Sequence, residues 1–265
     1  MSKSITRQMS ASLRRYLMPR RHTAMLCALV AFVAVRPLIG DGSTATVVFS
    51  VAVVVLMILA LYAIQVEELL GEDSALQTEH RRTAVTGATL ALIAVAVRLA
   101  AAYSSSPAIA LTWSLSWILF VGFITWNELH AVLRQKEVTR ETISMAISVY
   151  LLLGVTWTML YSVIYHFQPR AFSLNGTAST LVAPGHPIFP VLAYFSFITL
   201  TTVGYGDIAP VTLQARYAAL AEGVTGQFYL AILVARLVSM LLVRHAAPRG
   251  SDTSTPALGS RGPQN

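Results

Sequence analysis

Residues 199–210 read TLTTVGYGDIAP and place two glycines, a tyrosine and an aspartate in one short run of an otherwise apolar chain. Glycine adopts positive φ and lets the backbone come close to a ligand, so such a run suits two chemistries. One is a backbone loop that holds a phosphate, and the other is a loop that holds a bare cation. The segments around the run decide between them.

The composition is that of a membrane protein. Of the 265 residues, 55% are hydrophobic and 12% are charged, and the mean hydropathy is +0.63. Soluble domains carry about 25% charged residues. The one cysteine, Cys27, excludes a disulfide within the chain and a cysteine zinc site. The six histidines stand singly, without the spacing of a helical ligand pair, so we expect no metal enzyme.

Six apolar runs come near the roughly 20 residues that cross a hydrocarbon core. They are 24–39, 44–66, 83–103, 108–126, 143–167 and 215–243. The sequence therefore predicts an all-α membrane protein with six transmembrane helices. If both termini are cytoplasmic, most Lys and Arg residues fall on the cytoplasmic side of these helices. Cytoplasmic loops of membrane proteins carry such an excess of Lys and Arg. We interpret the net charge of +7 as topology and attraction to anionic lipids on the cytoplasmic face, not as nucleic-acid binding.

The segment between the last two runs, residues 168–210, is too long for a simple connection. Its first part, 168–187, is polar and broken by prolines, which predicts a loop in the outside water. Its second part, IFPVLAYFSFITL at 188–200, is apolar but too short to span. We predict a re-entrant helix there, with Pro190 near its first turn, that enters from outside and returns through residues 201–207.

Non-helical backbone at membrane depth must be buried in protein or line a watery path. Gly204 and Gly206 permit positive φ at alternate positions, so successive carbonyls can point the same way. Aligned carbonyl oxygens replace the hydration shell of a monovalent cation, and the inward carboxyl end of a re-entrant helix adds negative charge. The phosphate alternative fits G-x-G-x-x-A at 204–209, with Glu222 as a ribose-binding acid. It lacks the strand and βαβ unit that this motif requires.

The stretch Thr201–Asp207, TTVGYGD, resembles the selectivity filter of potassium channels, and residues 143–243 resemble the pore domain of bacterial members of that superfamily. The resemblance implies successive K⁺ sites at backbone carbonyls, with the Thr202 hydroxyl added. The filter residues are Thr202, Val203, Gly204, Tyr205, Gly206 and Asp207, and the first four hold K⁺. The resemblance also implies filter support from Thr201, Tyr194 and Phe195, with the Tyr205 side chain turned away from the ion into the aromatic residues of the re-entrant helix.

Family members often couple the filter aspartate to a carboxylate of the re-entrant helix. The matching position here is Ile198. We expect the Tyr194 hydroxyl to hold Asp207 instead.

The last apolar run supports the same interpretation. Gly226 lies 19 residues beyond Asp207, the hinge position of related pore-lining helices, although close packing of small residues is an equal alternative. We expect Arg236 to snorkel and Glu222 to face protein or the back of the filter. An apolar stripe of four residues is expected to line the pore. It consists of Leu230, Val234, Ala235 and Val238.

The chain then divides into five parts: a basic cytoplasmic N-terminus (1–23), a four-helix membrane domain (24–128), a cytoplasmic linker (129–142), a pore domain (143–243) and a disordered cytoplasmic tail (244–265). Within the pore domain lie the turret (168–187), the pore helix (188–200) and the filter (201–207). The fourth run, 108–126, has no Lys or Arg, so it offers no charges for a voltage sensor to move.

These features predict a K⁺-selective channel that conducts passively, without a conventional voltage sensor. One chain holds one filter, so a cyclic homotetramer is expected. We expect no cofactor beyond K⁺ as the permeant ion, and we place the chain in the plasma membrane, which is the inner membrane in a bacterium. Two alternatives stay open: a subunit of a K⁺ uptake transporter, and a non-conducting or regulatory subunit of a hetero-oligomeric channel.

Overall fold

The computed structural model describes residues 21–35, 55, 58–59, 74–103, 107–135, 138–174 and 188–246. These residues are mostly helical. The helices are α1 (Arg21–Val35), α2 (Ser74–Tyr103), α3 (Pro107–Arg134), α4 (Arg140–Phe167), α5 (Phe189–Leu200) and α6 (Leu213–Ala246), and the strands are β1 (Phe172–Leu174) and β2 (Ile208–Pro210).

Three helices in the described part of the chain are long and apolar enough to cross a membrane. They are Ser114–Arg134 within α3, Arg140–Phe167, which is α4, and Leu213–Met240 within α6. Shorter apolar helices occupy His22–Ala34, Arg82–Val97 and Phe189–Leu200. The structure therefore has the character of an α-helical membrane protein. The run at 44–66 lies outside the described residues, apart from positions 55, 58 and 59, and the count of six spans stays a prediction.

The boundary between α3 and α4 differs from the simple linker that the sequence suggests. α3 continues to Arg134, so the first six positions of the predicted linker (129–142) are helical. α4 begins with a capping box, in which the Thr139 hydroxyl accepts from the Thr142 amide at 3.2 Å and the Thr142 hydroxyl accepts from the Thr139 amide at 3.3 Å. This reciprocal pair satisfies backbone donors at the helix start.

The two strands are a feature that the sequence did not predict. β1 follows α4 and β2 follows the 201–207 loop, and they pair antiparallel with Phe172 opposite Pro210 and Leu174 opposite Ile208. The Val211 amide adds a bond to the Ala171 carbonyl at 2.7 Å. The chain that leaves the loop is thereby fastened to the end of α4. The predicted turret, 168–187, is described only as far as residue 174.

The described residues form three buried hydrophobic clusters, and α4 contributes to all of them. The first joins α1, α2 and α3 to α4 through residues such as Met25, Ala94 and Ile124. The second packs α5 and both strands against α4. The third joins Val132 of α3 and Tyr229 of α6 to α4. α4 is therefore the central scaffold on which α5 and α6 are placed.

Arg236 has partners that the sequence did not predict, and its snorkelling to the interface stays a prediction. Its guanidinium donates to the Leu133 carbonyl, and to the Gln135 carbonyl at 3.0 Å, at the carboxyl end of α3. Carbonyls at a helix end lack intrahelical donors and carry partial negative charge, so a cation is stabilised there. The contact ties the second half of α6 to α3.

Candidate functional site

In the loop after α5, every second residue from 202 to 206 has a positive φ angle. Thr202 has φ 60°, Gly204 has φ 50° and Gly206 has φ 78°. The two glycines adopt the positive φ that their lack of a Cβ permits. Thr202 was not expected to do so, because a β-branched residue at positive φ is a conformational outlier. Such strain costs about 1–3 kcal/mol and collects at functional sites.

The peptide groups of the loop are oriented by hydrogen bonds back to α5. The amides of Val203 and Gly204 both donate to the Ile198 carbonyl, at 2.9 and 3.1 Å. The described chain has no cis peptide bond, and in a trans peptide the carbonyl points opposite to the amide hydrogen. The carbonyls of Thr202 and Val203 therefore point away from α5. A row of oxygens directed away from the supporting helix is what coordination of a cation requires.

The start of the loop is held by a residue that the sequence did not single out. The Tyr150 hydroxyl on α4 donates to the Leu200 carbonyl at 3.1 Å. The amides of Thr201 and Thr202 donate to the carbonyls of Phe197 and Thr199, each at 3.0 Å. The Thr201 hydroxyl also donates to the Phe197 carbonyl at 2.6 Å. The carbonyls at the end of α5 are thus occupied before the filter stretch begins.

Asp207, at the far end of the loop, has two partners. Its Oδ1 accepts from the Ile208 amide at 3.0 Å, and its carboxylate interacts with the Tyr194 side chain. Ile198, where family members carry a carboxylate, is buried. That the Tyr194 hydroxyl holds Asp207 stays a prediction.

Phe195 fixes α5 from the other side. Its ring is buried and meets the rings of Tyr161 and Phe172 edge to face, with centroids 5.1 and 5.3 Å apart. Edge-to-face aromatic pairs contribute about 0.5–1.5 kcal/mol beyond the area they bury. Phe195 therefore anchors α5 to α4 and β1.

The filter side chains are open in the single chain. Tyr205 is 70% exposed and Val203 is 51% exposed. We expected Tyr205 to lie among the aromatic residues of α5. Within one chain α5 does not enclose Tyr205, so any enclosure has to come from another molecule.

Gly226 has a packing role in the structure. A Cβ added there would lie 2.7 Å from the Leu200 carbonyl oxygen and 2.8 Å from Leu200 Cδ1. α6 runs unbroken through this position from Leu213 to Ala246. Close packing against the end of α5 thus explains the glycine, and bending at Gly226 stays a prediction.

The predicted pore-lining stripe lies on a part of α6 that its own chain leaves uncovered. Three large apolar members of the stripe are exposed, namely Leu230, Val234 and Val238, and Ala235 is exposed as well. The opposite face of α6 is buried and carries Glu222, Gly226 and Tyr229. The stripe is therefore free to face another copy or an aqueous path.

A buried polar contact joins α6 to α4 and α5. Glu222 is fully buried, with the Tyr161 hydroxyl 2.5 Å from its Oε2 and the Ser196 hydroxyl 2.5 Å from its Oε1. Beside it, a Cβ added to Gly154 would lie 2.6 Å from the ring of Phe197. The sequence placed Glu222 against protein, but it gave no sign of Tyr161 or Ser196, because neither belongs to a motif.

Comparison with known proteins shows that this chain is similar to ion channels, as the TTVGYGD loop suggests. A family model described as ion channel matches residues 175–243. Two-pore potassium channel 3 of Arabidopsis thaliana is 30% identical over 116 residues, which is 44% of this chain and 24% of that protein. Two pore potassium channel c of Oryza sativa subsp. japonica is 36% identical over 70 residues, which is 26% of this chain and 15% of that protein.

A third relative, Two-pore potassium channel 5 of Arabidopsis thaliana, is 35% identical over 107 residues, which is 40% of this chain and 22% of that protein. The chain thus spans less than a quarter of the length of each of these relatives. No solved structure matches. Since these three relatives are plant proteins, the narrower resemblance to bacterial six-helix members stays a prediction.

The matched family is one of ion channels and not of enzymes, which agrees with the absence of catalytic motifs from the sequence. Through the TTVGYGD stretch, the match over residues 175–243 and the three potassium-channel relatives, the pore segment of this chain is similar to that of the potassium channel superfamily.

Proposed function

We propose that the chain forms a potassium-selective channel that conducts K⁺ passively through a pore made by four copies. The carbonyls of Thr202, Val203, Gly204 and Tyr205, with the Thr202 hydroxyl, coordinate the dehydrated ion. Gly206 and Asp207 form the outer mouth. α5 is the re-entrant pore helix, and α6 lines the pore with Leu230, Val234, Ala235 and Val238.

One observation carries this proposal. The amides of Val203 and Gly204 bind the Ile198 carbonyl while Thr202, Gly204 and Gly206 have positive φ. This arrangement turns neighbouring carbonyls toward the side opposite α5. Selectivity follows when these oxygens replace the water around K⁺ at little net cost and coordinate Na⁺ less well.

Four copies are proposed because a closed ring of carbonyls needs four filter stretches and the sequence contains one. A cyclic arrangement places equivalent surfaces around an axis. The exposed Tyr205 and the exposed stripe of α6 are then covered by neighbouring copies. Native mass spectrometry in detergent is expected to give four times the chain mass of 28.7 kDa, and a stable monomer would contradict the arrangement.

The finer topology belongs to the same proposal. Six transmembrane helices, with α5 re-entering between the last two, place both termini in the cytoplasm, where anionic lipids attract the basic segments. The protein is proposed to be a multi-pass protein of the plasma membrane. The first four transmembrane helices occupy the position of a voltage sensor but lack its arginine-bearing fourth helix.

Ion flux into liposomes tests the function. The purified chain is expected to carry K⁺ and to exclude Na⁺, and Gly204→Ala is expected to abolish the K⁺ flux. A Cβ at Gly204 meets nothing within 4 Å, so the loss would arise from the positive φ and not from a clash.

Gly122→Ala is the matched control, because a Cβ at Gly122 also meets nothing within 4 Å and Gly122 lies within α3. It should conduct like the parent chain. Equal K⁺ and Na⁺ flux, or full K⁺ flux in Gly204→Ala, would contradict the proposal. Absence of K⁺ flux from the purified chain would favour the non-conducting subunit.

A further inference from the structure

Glu222 places a carboxyl group inside the membrane-crossing part of α6, with 0% of its side chain exposed. Its two oxygens meet two different helices. The Tyr161 hydroxyl of α4 lies 2.5 Å from Oε2, and the Ser196 hydroxyl of α5 lies 2.5 Å from Oε1. One side chain thus bridges the scaffold helix and the pore helix.

The surroundings offer this carboxyl group no compensating charge. The groups that face it are the Tyr161 and Tyr150 side chains from α4 and the Ser196 hydroxyl from α5. In the described part of the chain, no Lys, Arg or His forms an ion pair with Glu222. The ion pair seen among the described residues joins His22 and Glu128 and does not involve Glu222. An ionised carboxylate buried without a cation is costly.

The contacts of Ser196 favour a protonated Glu222, in addition to the missing cation, and the Gly154 carbonyl in this group also accepts from the Thr158 hydroxyl at 2.7 Å. The Ser196 hydroxyl lies 2.8 Å from the Gly154 carbonyl oxygen as well as 2.5 Å from Glu222 Oε1. A serine has one hydroxyl hydrogen. If Glu222 were ionised, that hydrogen would serve one oxygen and leave the other facing Ser196 at hydrogen-bond distance with no hydrogen between them.

A protonated Glu222 supplies the second hydrogen for the two contacts of Ser196. Its Oε1 hydroxyl donates to Ser196, Ser196 donates to the Gly154 carbonyl, and Tyr161 donates to Oε2. Every oxygen in the chain of bonds then has a hydrogen partner, as buried polar groups require. These hydrogen bonds run from Glu222 of α6 to Ser196 of α5 and on to the Gly154 carbonyl of α4, so they link the three helices.

We infer that Glu222 is a neutral carboxylic acid and a positioning residue for the filter, bridging α4, α5 and α6 by donating to Ser196 and accepting from Tyr161. Ser196 lies six positions before Thr202, and the same helix presents the Ile198 carbonyl that orients the loop. A displaced α5 would therefore displace the coordinating carbonyls. The positioning role rests on the proposed function, whereas the protonation state does not.

Glu222→Gln and Glu222→Ala separate the two claims. A glutamine amide also donates to Ser196 and accepts from Tyr161, whereas alanine removes the partner of the Tyr161 hydroxyl and leaves Ser196 only the Gly154 carbonyl. We expect Glu222→Gln to keep K⁺ selectivity and thermal stability near those of the parent chain. Glu222→Ala is expected to lower selective K⁺ flux by about tenfold, in line with the loss of buried hydrogen bonds.

Infrared spectroscopy tests the protonation state directly. The parent spectrum minus that of Glu222→Gln should contain the carbonyl band of a protonated carboxyl group. An ionised carboxylate band in its place would overturn the neutral state. If Glu222→Gln folds but loses as much K⁺ flux or thermal stability as Glu222→Ala, the positioning role is overturned.

These readouts stay informative if the chain does not conduct. The infrared band and the thermal stabilities of the two variants need no ion flux. A protonated band with a stable Glu222→Gln and a destabilised Glu222→Ala, in a chain without K⁺ flux, would refute the channel and retain the bridge. Should Glu222→Ala fail to assemble, Tyr161→Phe removes one donor from the bridge and is expected to weaken stability by a smaller amount.

Discussion

At the scale of single residues, the loop depends on contacts that hold its two ends. The Tyr150 hydroxyl donates to the Leu200 carbonyl before the loop, and the Tyr194 side chain interacts with Asp207 after it. Between them Thr202 keeps a positive φ of 60°, which a threonine does not adopt by preference. The strained backbone persists because the surrounding contacts fix it.

Tyr194→Phe should weaken the outer end of the filter. The change removes a hydrogen bond to a charged group, which contributes about 1.5–3 kcal/mol, and leaves the ring in place. We expect K⁺ current to decay about tenfold faster after opening, as measured in planar bilayers. Tyr217→Phe is the control, because the exposed Tyr217 has no hydroxyl partner in the described residues. Unchanged current decay in Tyr194→Phe would refute the role of this bond.

Sequence reasoning reached some of these residues and not others, for physical reasons. Glycine readily adopts positive φ, so the sequence predicts this conformation at Gly204 and Gly206. At Thr202 it is imposed by the hydrogen bonds between the loop and α5. Tyr161 and Ser196 meet Glu222 across 61 and 26 positions of the chain. Such contacts depend on how helices pack, and no local pattern encodes them.

At the scale of helices and strands, α6 is held along one face only. Glu222, Gly226 and Tyr229 are buried, and the Tyr229 hydroxyl donates to the Ala146 carbonyl of α4 at 2.6 Å. Arg236 adds the contact with the end of α3. The apolar composition and short length of residues 188–200 predicted α5, whereas no pattern predicted the paired strands, because three residues are too few to show a period of two.

Gly226→Ala tests packing at the end of α5. The added methyl group would press on a backbone oxygen that cannot move without moving the filter stretch, so we expect a loss of about 1–3 kcal/mol. Thermal unfolding of the assembled protein measures it. Gly223→Ala is the matched control, because a Cβ at Gly223 meets nothing within 4 Å, and it should be neutral or stabilising. Equal stability of both variants would favour a pure hinge role for Gly226.

Arg236→Gln tests the tie between α6 and α3. It removes charged hydrogen bonds to the Leu133 and Gln135 carbonyls, and we expect a stability loss of about 1.5–3 kcal/mol. Arg236→Lys keeps the charge but not the planar fork, so it should recover only part of that loss. Arg134→Gln, at an exposed arginine on the same helix end, is the control in thermal unfolding. A loss no larger in Arg236→Gln than in Arg134→Gln would contradict the tie.

At the scale of the whole molecule, the single chain is incomplete around the loop and α6. Tyr205, Val203 and Phe228 are exposed apolar side chains at positions where a channel would be closed by neighbours. Large exposed apolar surfaces mark interfaces with proteins or membrane. This exposure is what the proposed four-copy assembly predicts for the loop and α6.

Weak voltage dependence is expected of the assembled channel. Each charge that crosses the field contributes about 2.3 kcal/mol per 100 mV, and the predicted fourth transmembrane run, 108–126, contains no Lys or Arg. Macroscopic conductance in planar bilayers should change little with voltage. A steep rise in open probability upon depolarisation would show that other charges act as a sensor.

The bi-ionic reversal potential tests the central claim most directly. The purified chain is placed in a planar bilayer with K⁺ on one side and an equal concentration of Na⁺ on the other. We expect a reversal potential displaced strongly in the direction of K⁺ selectivity, because the proposed coordination by the carbonyls of residues 202–205 favours K⁺ over Na⁺. A current that reverses near zero would contradict it, since K⁺ and Na⁺ would then pass equally well.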